Sequence, residues 1–188
     1  MMTEAPLKKI WTSRTKFVVL ILIAFVPIFI ASAAFFFFPD WAPTETTNRG
    51  ELIVPVVPGE EISGELLELH SWVLLQPVAM DCNEDCIQML YLSRQVITGL
   101  GKDASRIKRA VIAPAGISDS FADLLESDHG DARIIEADTR LLDQTNDSRP
   151  VLFLMDPNGN VLMHYSLEKA GKPMMKDLKH LLKVSNIG

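Results

Sequence analysis

Cysteine is scarce: only two of the 188 residues carry a thiol. One pair cannot make a disulfide framework, and this pair is badly placed even as a single staple. Cys82 and Cys86 lie four positions apart in Met80-Asp81-Cys82-Asn83-Glu84-Asp85-Cys86. A bridge would close a loop of about five residues, for which chain entropy gives roughly 2 kcal/mol, against about 4.7 for a 100-residue loop. Two thiols set this close are better explained by chemistry than by packing. Positive charge is scarce as well once the N-terminus is passed. Removing Lys8, Lys9, Arg14 and Lys16 from the 18 basic residues, and Glu4 from the 24 acidic ones, leaves 14 and 23 over residues 40 to 188, a formal charge of −9. That balance argues against nucleic acid as a partner. No internal repeat is present, and there is no low-complexity tract outside one apolar run.

That run, Phe17 to Phe38, is 22 residues long and uncharged. As a helix it would span roughly 33 Å, enough for a hydrocarbon core of about 30 Å, and Pro27 within it is tolerable in a membrane helix. Lys8, Lys9, Arg14 and Lys16 precede it, whereas Asp40 and Glu45 follow and the next basic residue is Arg49. The positive-inside rule therefore keeps the N-terminus cytoplasmic. Trp11 and Trp41 bracket the span as interfacial aromatics would. A cleaved signal peptide is the alternative, with Ala31-Ser32-Ala33 as a small-residue site. However, the run exceeds the usual 7–15-residue signal core and continues into four phenylalanines, Phe35 to Phe38. The expected organisation is a cytoplasmic segment 1–16, a span 17–38, a polar linker 39–49 and one exported domain 50–188.

Within that domain, Gly50 to Gly64 mixes short apolar pieces with Pro55, Pro58 and glycines, which suits a small extended or hairpin element at a sheet edge. Trp72-Val73-Leu74-Leu75 is a continuous apolar run, as for a strand covered on both faces. Cys86, Met89, Leu90, Ser93, Val96, Ile97 and Leu100 recur at helical spacing until Gly101. Ile107 to Ala113 reads as a second strand despite Lys108 and Arg109. Ser118 suits the cap of a short helix through Leu125, with Asp119 favouring its dipole, and Arg133 to Ala137 reads as a third strand. Val151–Met155 and Val161–Tyr165 flank Asp156-Pro157-Asn158-Gly159, a type I turn signal and the clearest hairpin in the chain. Met174, Met175, Leu178, Leu181, Leu182 and Ser185 define a last amphipathic helix with Lys176, Lys179 and Lys183 on its wet face. Strands alternating with helices argue for an α/β sandwich.

The order βα, βα, β, hairpin, α, with the cysteines at the first strand-to-helix turn, resembles the thioredoxin-like fold. Pro150, after Arg149 and directly before the hairpin, falls where that fold carries a cis-proline facing the cysteine motif. At finer grain, CxxxC, the single anchor, Trp72-Val73-Leu74-Leu75 and Leu154-Met155-Asp156-Pro157-Asn158-Gly159 resemble the SCO family of membrane-anchored copper chaperones and thiol reductases of cytochrome c oxidase assembly. The chain is similar in particular to a divergent group of small bacterial membrane proteins associated with cytochrome oxidase, whose tail also runs from a DP-x-G turn into a lysine-rich helix. The resemblance implies thiol–disulfide exchange or transient copper binding at Cys82 and Cys86. It also implies partners among cytochrome c oxidase subunits or their assembly factors, and a domain on the periplasmic side of a bacterial inner membrane.

Two departures bear on copper. SCO proteins carry a proline after the second cysteine and a histidine before the hairpin strand that completes a Cys2His site. Here Ile87 follows Cys86, and Ser148 stands near the histidine's place. Met80 and His164 are the substitutes to consider, since thioether and thiolates together suit Cu(I). A rim or core methionine and a half-buried strand histidine are the plainer readings. His129, His180 and His70 have plain readings too: a polar turn, the lysine face of the last helix, and the far end of the sheet. Asp81, Glu84 and Asp85 surround the pair with negative charge, opposing the helix N-terminus that favours a thiolate; equally, they can serve only the helix start. Slow redox exchange or metal handling ranks above peroxidase or vigorous oxidase chemistry. Two readings follow: an SCO-like assembly factor, or a tethered thioredoxin-fold module that docks on a respiratory complex with its disulfide permanently closed. A general thiol oxidoreductase is the remainder. The topology is directly testable: a reporter fused after Gly188 should be active only in the exported compartment, and cytoplasmic activity would remove the basis for redox cycling.

Overall fold

The computed structural model describes residues 12–37, 47–138, 140 and 150–185. Two compact units, 1–46 and 47–188, divide the chain. In the first, α1 runs Ser13–Phe37 with Pro27 inside it and no buried residue. Its 25 residues have a mean hydropathy of 2.9 over the most apolar window, so it is long and apolar enough to cross a membrane. The helix begins four residues before the expected span, because Ser13 to Lys16 extend the same hydrogen-bond ladder.

The second unit is a six-stranded mixed sheet with three helices on one face. Its elements are β1 (Glu51–Pro58), β2 (Trp72–Pro77), α2 (Glu84–Thr98), β3 (Ile107–Ala113), α3 (Asp119–His129), β4 (Ala132–Glu136), β5 (Val151–Met155), β6 (Asn160–Ser166) and α4 (Lys172–Val184). The strand order is β1-β6-β5-β2-β3-β4. Strands β2, β3 and β4 run parallel, with Trp72 opposite Ile107 and Arg109 opposite Ala132. Strands β5 and β1 run antiparallel to their neighbours. Because β2, β3 and β4 are consecutive neighbours stepping in one direction, right-handed crossovers put both α2 and α3 over the same face.

The register explains which residues are covered. Leu74, Leu152, Leu154, Met163 and Tyr165 point to the helical face and pack under Met89 and Val96 of α2 and Met174, Leu178 and Leu182 of α4. Val73, Leu75, Ala110, Ile112, Phe153 and Met155 point the other way, against Val57, Ile62, Leu66 and Leu69. The last three of these come from, or adjoin, two 3-10 segments, Gly59–Glu61 and Gly64–Leu69, that periodicity does not announce. β2 thus needs apolar side chains in both directions, and its run is continuous for that reason.

Several expectations need correction. The cysteine-bearing helix ends at Thr98, not near Gly101, with Gly99 as its cap; Leu100 is buried but belongs to the following turn. The α3 helix continues past Leu125 to His129, and Ser118, although at its N-cap position, makes no side-chain capping bond. Its hydroxyl instead lies 3.3 Å from that of Ser120. His129 is therefore not in a polar turn but in the last turn of a helix, and it is buried. The stretch from Gly50 to Gly64 holds, as its extended reading expected, an edge strand, β1, which pairs with β6 and gives way to a 3-10 turn at Gly59. The Asp156–Gly159 turn closes as expected, with Gly159 N–H donating to Asp156 O at 3.0 Å. Asp156 Oδ1 also accepts from the Asn158 and Asn160 amides, and Gly159 takes a φ of 88°, open to glycine at little cost. Most of the polar loop before the hairpin lies outside the described residues, including Ser148 and Arg149.

Two buried charges hold the helical face together. Asp177 on α4 accepts from the Arg49 and Gly50 amides at 2.7 and 3.0 Å, from the Tyr165 hydroxyl at 3.3 Å, and from the Arg49 guanidinium at 3.2 Å. Burial, then the charge of Asp177 and the bond to it, hold the Tyr165 hydroxyl well above its ordinary pKa, so it stays a neutral donor. A side chain at Gly50 would begin 2.7 Å from the Tyr165 ring, so the close approach requires glycine. The second charge, Arg109, is described with the site. Asp177→Ala should lower stability by about 3 kcal/mol in urea unfolding of the purified protein, because it strands the Arg49 and Gly50 amides and leaves the Tyr165 hydroxyl only the Met163 sulfur. Lys176→Ala, one position along on the wet face, should change it by less than about 0.5.

A disulfide at the start of the second helix

Cys82 and Cys86 are joined in a disulfide, with Cα atoms 5.3 Å apart. Local sequence puts them there. The chain leaves β2 through Pro77, and Val78 N–H donates to Ile112 O at 2.9 Å. The loop is then tied on its far side, where Ser118 N–H donates to Met80 O at 3.1 Å. Asn83 begins the helix. Its Oδ1 accepts from Cys86 N–H at 3.0 Å, satisfying one of the amides that a helix start leaves unpaired. Glu84 and Asp85 occupy the first turn, where carboxylates suit the helix dipole, but the capping bond is Asn83's.

The two sulfurs have different surroundings. Cys86 is 8% exposed and packs with Val78, Leu90, Val111, Ala113, Phe121 and Leu125. Cys82 lies at the edge of that cluster and is partly exposed. A thiolate arriving from solvent can reach Cys82 and would expel Cys86. Beneath the bridge, Gln76 Nε2 donates to Cys86 O at 3.0 Å and approaches Cys86 Sγ at 3.7 Å.

The helix that carries Cys86 is fixed from below by Arg109. This residue is 3% exposed on β3. Its Nε donates to Ser93 Oγ at 3.1 Å and its Nη2 to Leu90 O at 2.9 Å, both on α2. Its Nη1 meets both oxygens of Asp131 at 3.0 Å. Nη2 also lies 3.3 Å from His129 Nδ1, which must accept, since a guanidinium has only donors. Burial and then the Arg109 charge push the His129 pKa down, which keeps that ring neutral. For Asp131, burial works upward, but the Arg109 hydrogen bond and charge outweigh it and hold the carboxyl below its usual range.

The other residues singled out in the sequence lie elsewhere. Met80 is next to the loop and 57% exposed. His164 pairs in register with Phe153, which pairs with Leu75, so it sits on the opposite face of the sheet from α2. There its Nε2 is 3.4 Å from Glu51. His180 is exposed on α4, and His70 ends the 3-10 segment before β2, at the other end of that strand from the cysteine loop. Pro150 directly precedes β5. Continuing the β2–β5 register from Leu75 opposite Phe153 puts it level with Val78, at the cysteine end of the sheet. Its bond to Arg149 involves a residue outside the described set. The network of Gln76 and Arg109 escaped sequence reading, for which a glutamine and an arginine inside otherwise apolar strands were the available signal.

For copper, the described residues hold no group of three His, Cys, Asp or Glu side chains suited to a metal ion. Reduction of the bridge would free two soft sulfur donors, which suit Cu(I), but no imidazole stands with them in a metal-binding group among the described residues. The donors fit a two-sulfur complex and not a Cys2His site.

Comparison with known proteins places the domain. The family described as transmembrane-like, thioredoxin-like, C-terminal domain matches residues 72–185. The chain belongs to this family. Its thioredoxin-like fold is the one expected from the element order. No curated protein matches. Among similar solved structures, ScoI of Bradyrhizobium japonicum with copper bound is 17% identical over 66% of this chain and 89% of that one, with a TM-score of 0.44. Apo Sco1 from Thermus thermophilus is 15% identical over 73% and 99%, at 0.49. A thiol:disulfide interchange protein from Bacteroides sp. is 14% identical over 73% and 91%, at 0.47.

Because Asn83 caps the helix and Arg109 anchors it without help from the bridge, folding should survive loss of the cysteines. Cys82→Ser with Cys86→Ser should cost at most about 2 kcal/mol and leave one cooperative unfolding transition. Loss of a folded domain in urea titration would make the bridge structural.

Proposed function

We propose that this protein is a membrane-anchored thiol–disulfide exchange factor of SCO type, with Cys82 as the attacked sulfur and Cys86 as the resolving one. The observation that carries the reading is the asymmetry of the bridge. One sulfur is reachable and the other is buried on a helix whose start is held independently. In this proposal α1 spans the bacterial inner membrane once, the N-terminus is cytoplasmic and the domain faces the periplasm, where thiols can cycle. The motif resemblance directs the exchange to subunits or assembly factors of cytochrome c oxidase, preparing a partner's metal site. Pro150, level with the cysteine loop, is the residue we assign to the rim on which a partner strand would lie. Transient Cu(I) holding by the reduced pair is compatible with this role, and exchange itself needs no metal.

A non-catalytic docking module is the second reading, favoured by the closed bridge and by the burial of Cys86. Trapping separates the two. With Cys86→Ser, the remaining Cys82 thiol should accumulate in a reducible mixed disulfide with a membrane partner in cells, detected by non-reducing electrophoresis. The band should be absent for Cys82→Ser. No mixed disulfide, together with a bridge that stays fully oxidised in respiring cells, would leave the docking reading.

A further inference from the structure

We propose that Gln76 is a positioning residue of the disulfide, its buried carboxamide favouring the dithiol over the bridged form. The inference rests on the exchange reading above and names the group that sets its balance.

Gln76 is 2% exposed on β2. Burying a carboxamide in an apolar strand is costly unless its hydrogen bonds are made. Only half of them are. Nε2 donates to Cys86 O at 3.0 Å and faces Cys86 Sγ at 3.7 Å, whereas Oε1 is buried with no partner. The orientation is not arbitrary, because a backbone carbonyl can only accept, so the amide atom against it must be the nitrogen. A buried acceptor is thus left without a donor on the same carboxamide whose nitrogen faces the bridge.

The bridged form has no donor to give it. The dithiol form has. When an external thiolate attacks Cys82 Sγ, a new S–S bond forms to the attacking sulfur and the Cys82–Cys86 bond breaks. Cys86 leaves with the electron pair as a thiolate, which meets the N–H of Gln76. That thiolate takes up the proton the attacking thiol gave to solvent, and a rotation about the Cα–Cβ bond of Cys86 lets the new S–H donate to Oε1. The second thiol of the reagent then attacks the mixed disulfide and releases Cys82. Two electrons and two protons have passed from the external dithiol to the pair. Both reduced species of Cys86 find a partner in Gln76, and the disulfide finds only a weak one. The carboxamide therefore draws the equilibrium toward reduction.

The test uses the full-length protein in detergent, equilibrated with mixtures of reduced and oxidised dithiothreitol and quenched by alkylation. Gln76→Met keeps the volume and removes both polar atoms. Its equilibrium constant for reduction should fall about tenfold, which is a potential about 30 mV more negative. A constant within twofold of the parent protein, in a variant with unchanged circular dichroism, would overturn the proposal and leave Gln76 only a tie to the Cys86 carbonyl. A second measurement needs no variant. In the parent protein labelled with 15N-glutamine, the Gln76 side-chain amide resonances should shift on reduction while those of Gln88 and Gln95 stay fixed. An unmoved Gln76 signal would also overturn it. Failure of the exchange reading has a different signature: no mixed disulfide in cells, with the dithiothreitol equilibrium still sensitive to Gln76.

Discussion

The guanidinium of Arg109 is the tie on which the site's geometry depends. It is nearly inaccessible, yet its donors reach Ser93 and Leu90 on α2, Asp131 before β4, and His129 at the end of α3. A charge buried this deeply costs several kcal/mol to desolvate, and it is tolerable only because its bonds are made to fixed partners. Ser93 and Leu90 lie on α2, His129 on α3, and Asp131 in the turn that follows α3. Hydrophobic contact alone would let α2 slide along the sheet by a fraction of a turn at little expense, whereas a planar fork of donors admits one seating. The first turn of α2, and with it Cys86, inherits that seating.

Around this tie, acidic residues dominate the surface near the bridge. Asp81 and Glu84 are exposed, and Asp85 is half-buried in the first turn. Their charge opposes any thiolate that forms, while the helix start and the Gln76 amide favour it. In the proposed exchange, such a balance suits handing over a bond to one docked partner better than attacking any disulfide that diffuses past.

Much of the scaffold is legible in the sequence, and the reasons for success and failure are physical. β2 is found because a strand covered on both faces needs the unbroken apolar character of Trp72 to Leu75, and β3 is found because Lys108 and Arg109 leave most of Ile107 to Ala113 apolar. The hairpin is found because proline fixes φ and glycine admits the left-handed region, so the turn is written in four adjacent residues. The cysteine pair announces itself by rarity. What stays hidden depends on partners distant in the chain. Asp177 reads as one more charge on a helix until Arg49 and Gly50, 128 and 127 positions away, donate to it. Arg109 reads as a solvated interruption until Asp131 and His129 come round by way of α3. Gln76 adjoins the apolar run of β2, and only the helix that follows shows what it faces. Periodicity says which face of an element is covered, and it is silent about what covers it.

The Asn83 cap has a consequence for speed. Its bond to the Cys86 amide uses the backbone and not the sulfur, so opening the bridge would take away no atom of that bond. A redox couple whose two states share one framework needs little nuclear rearrangement to pass between them. If the pair exchanges as proposed, the barrier is set by the approach of the incoming sulfur, on a stage that does not have to be rebuilt each time.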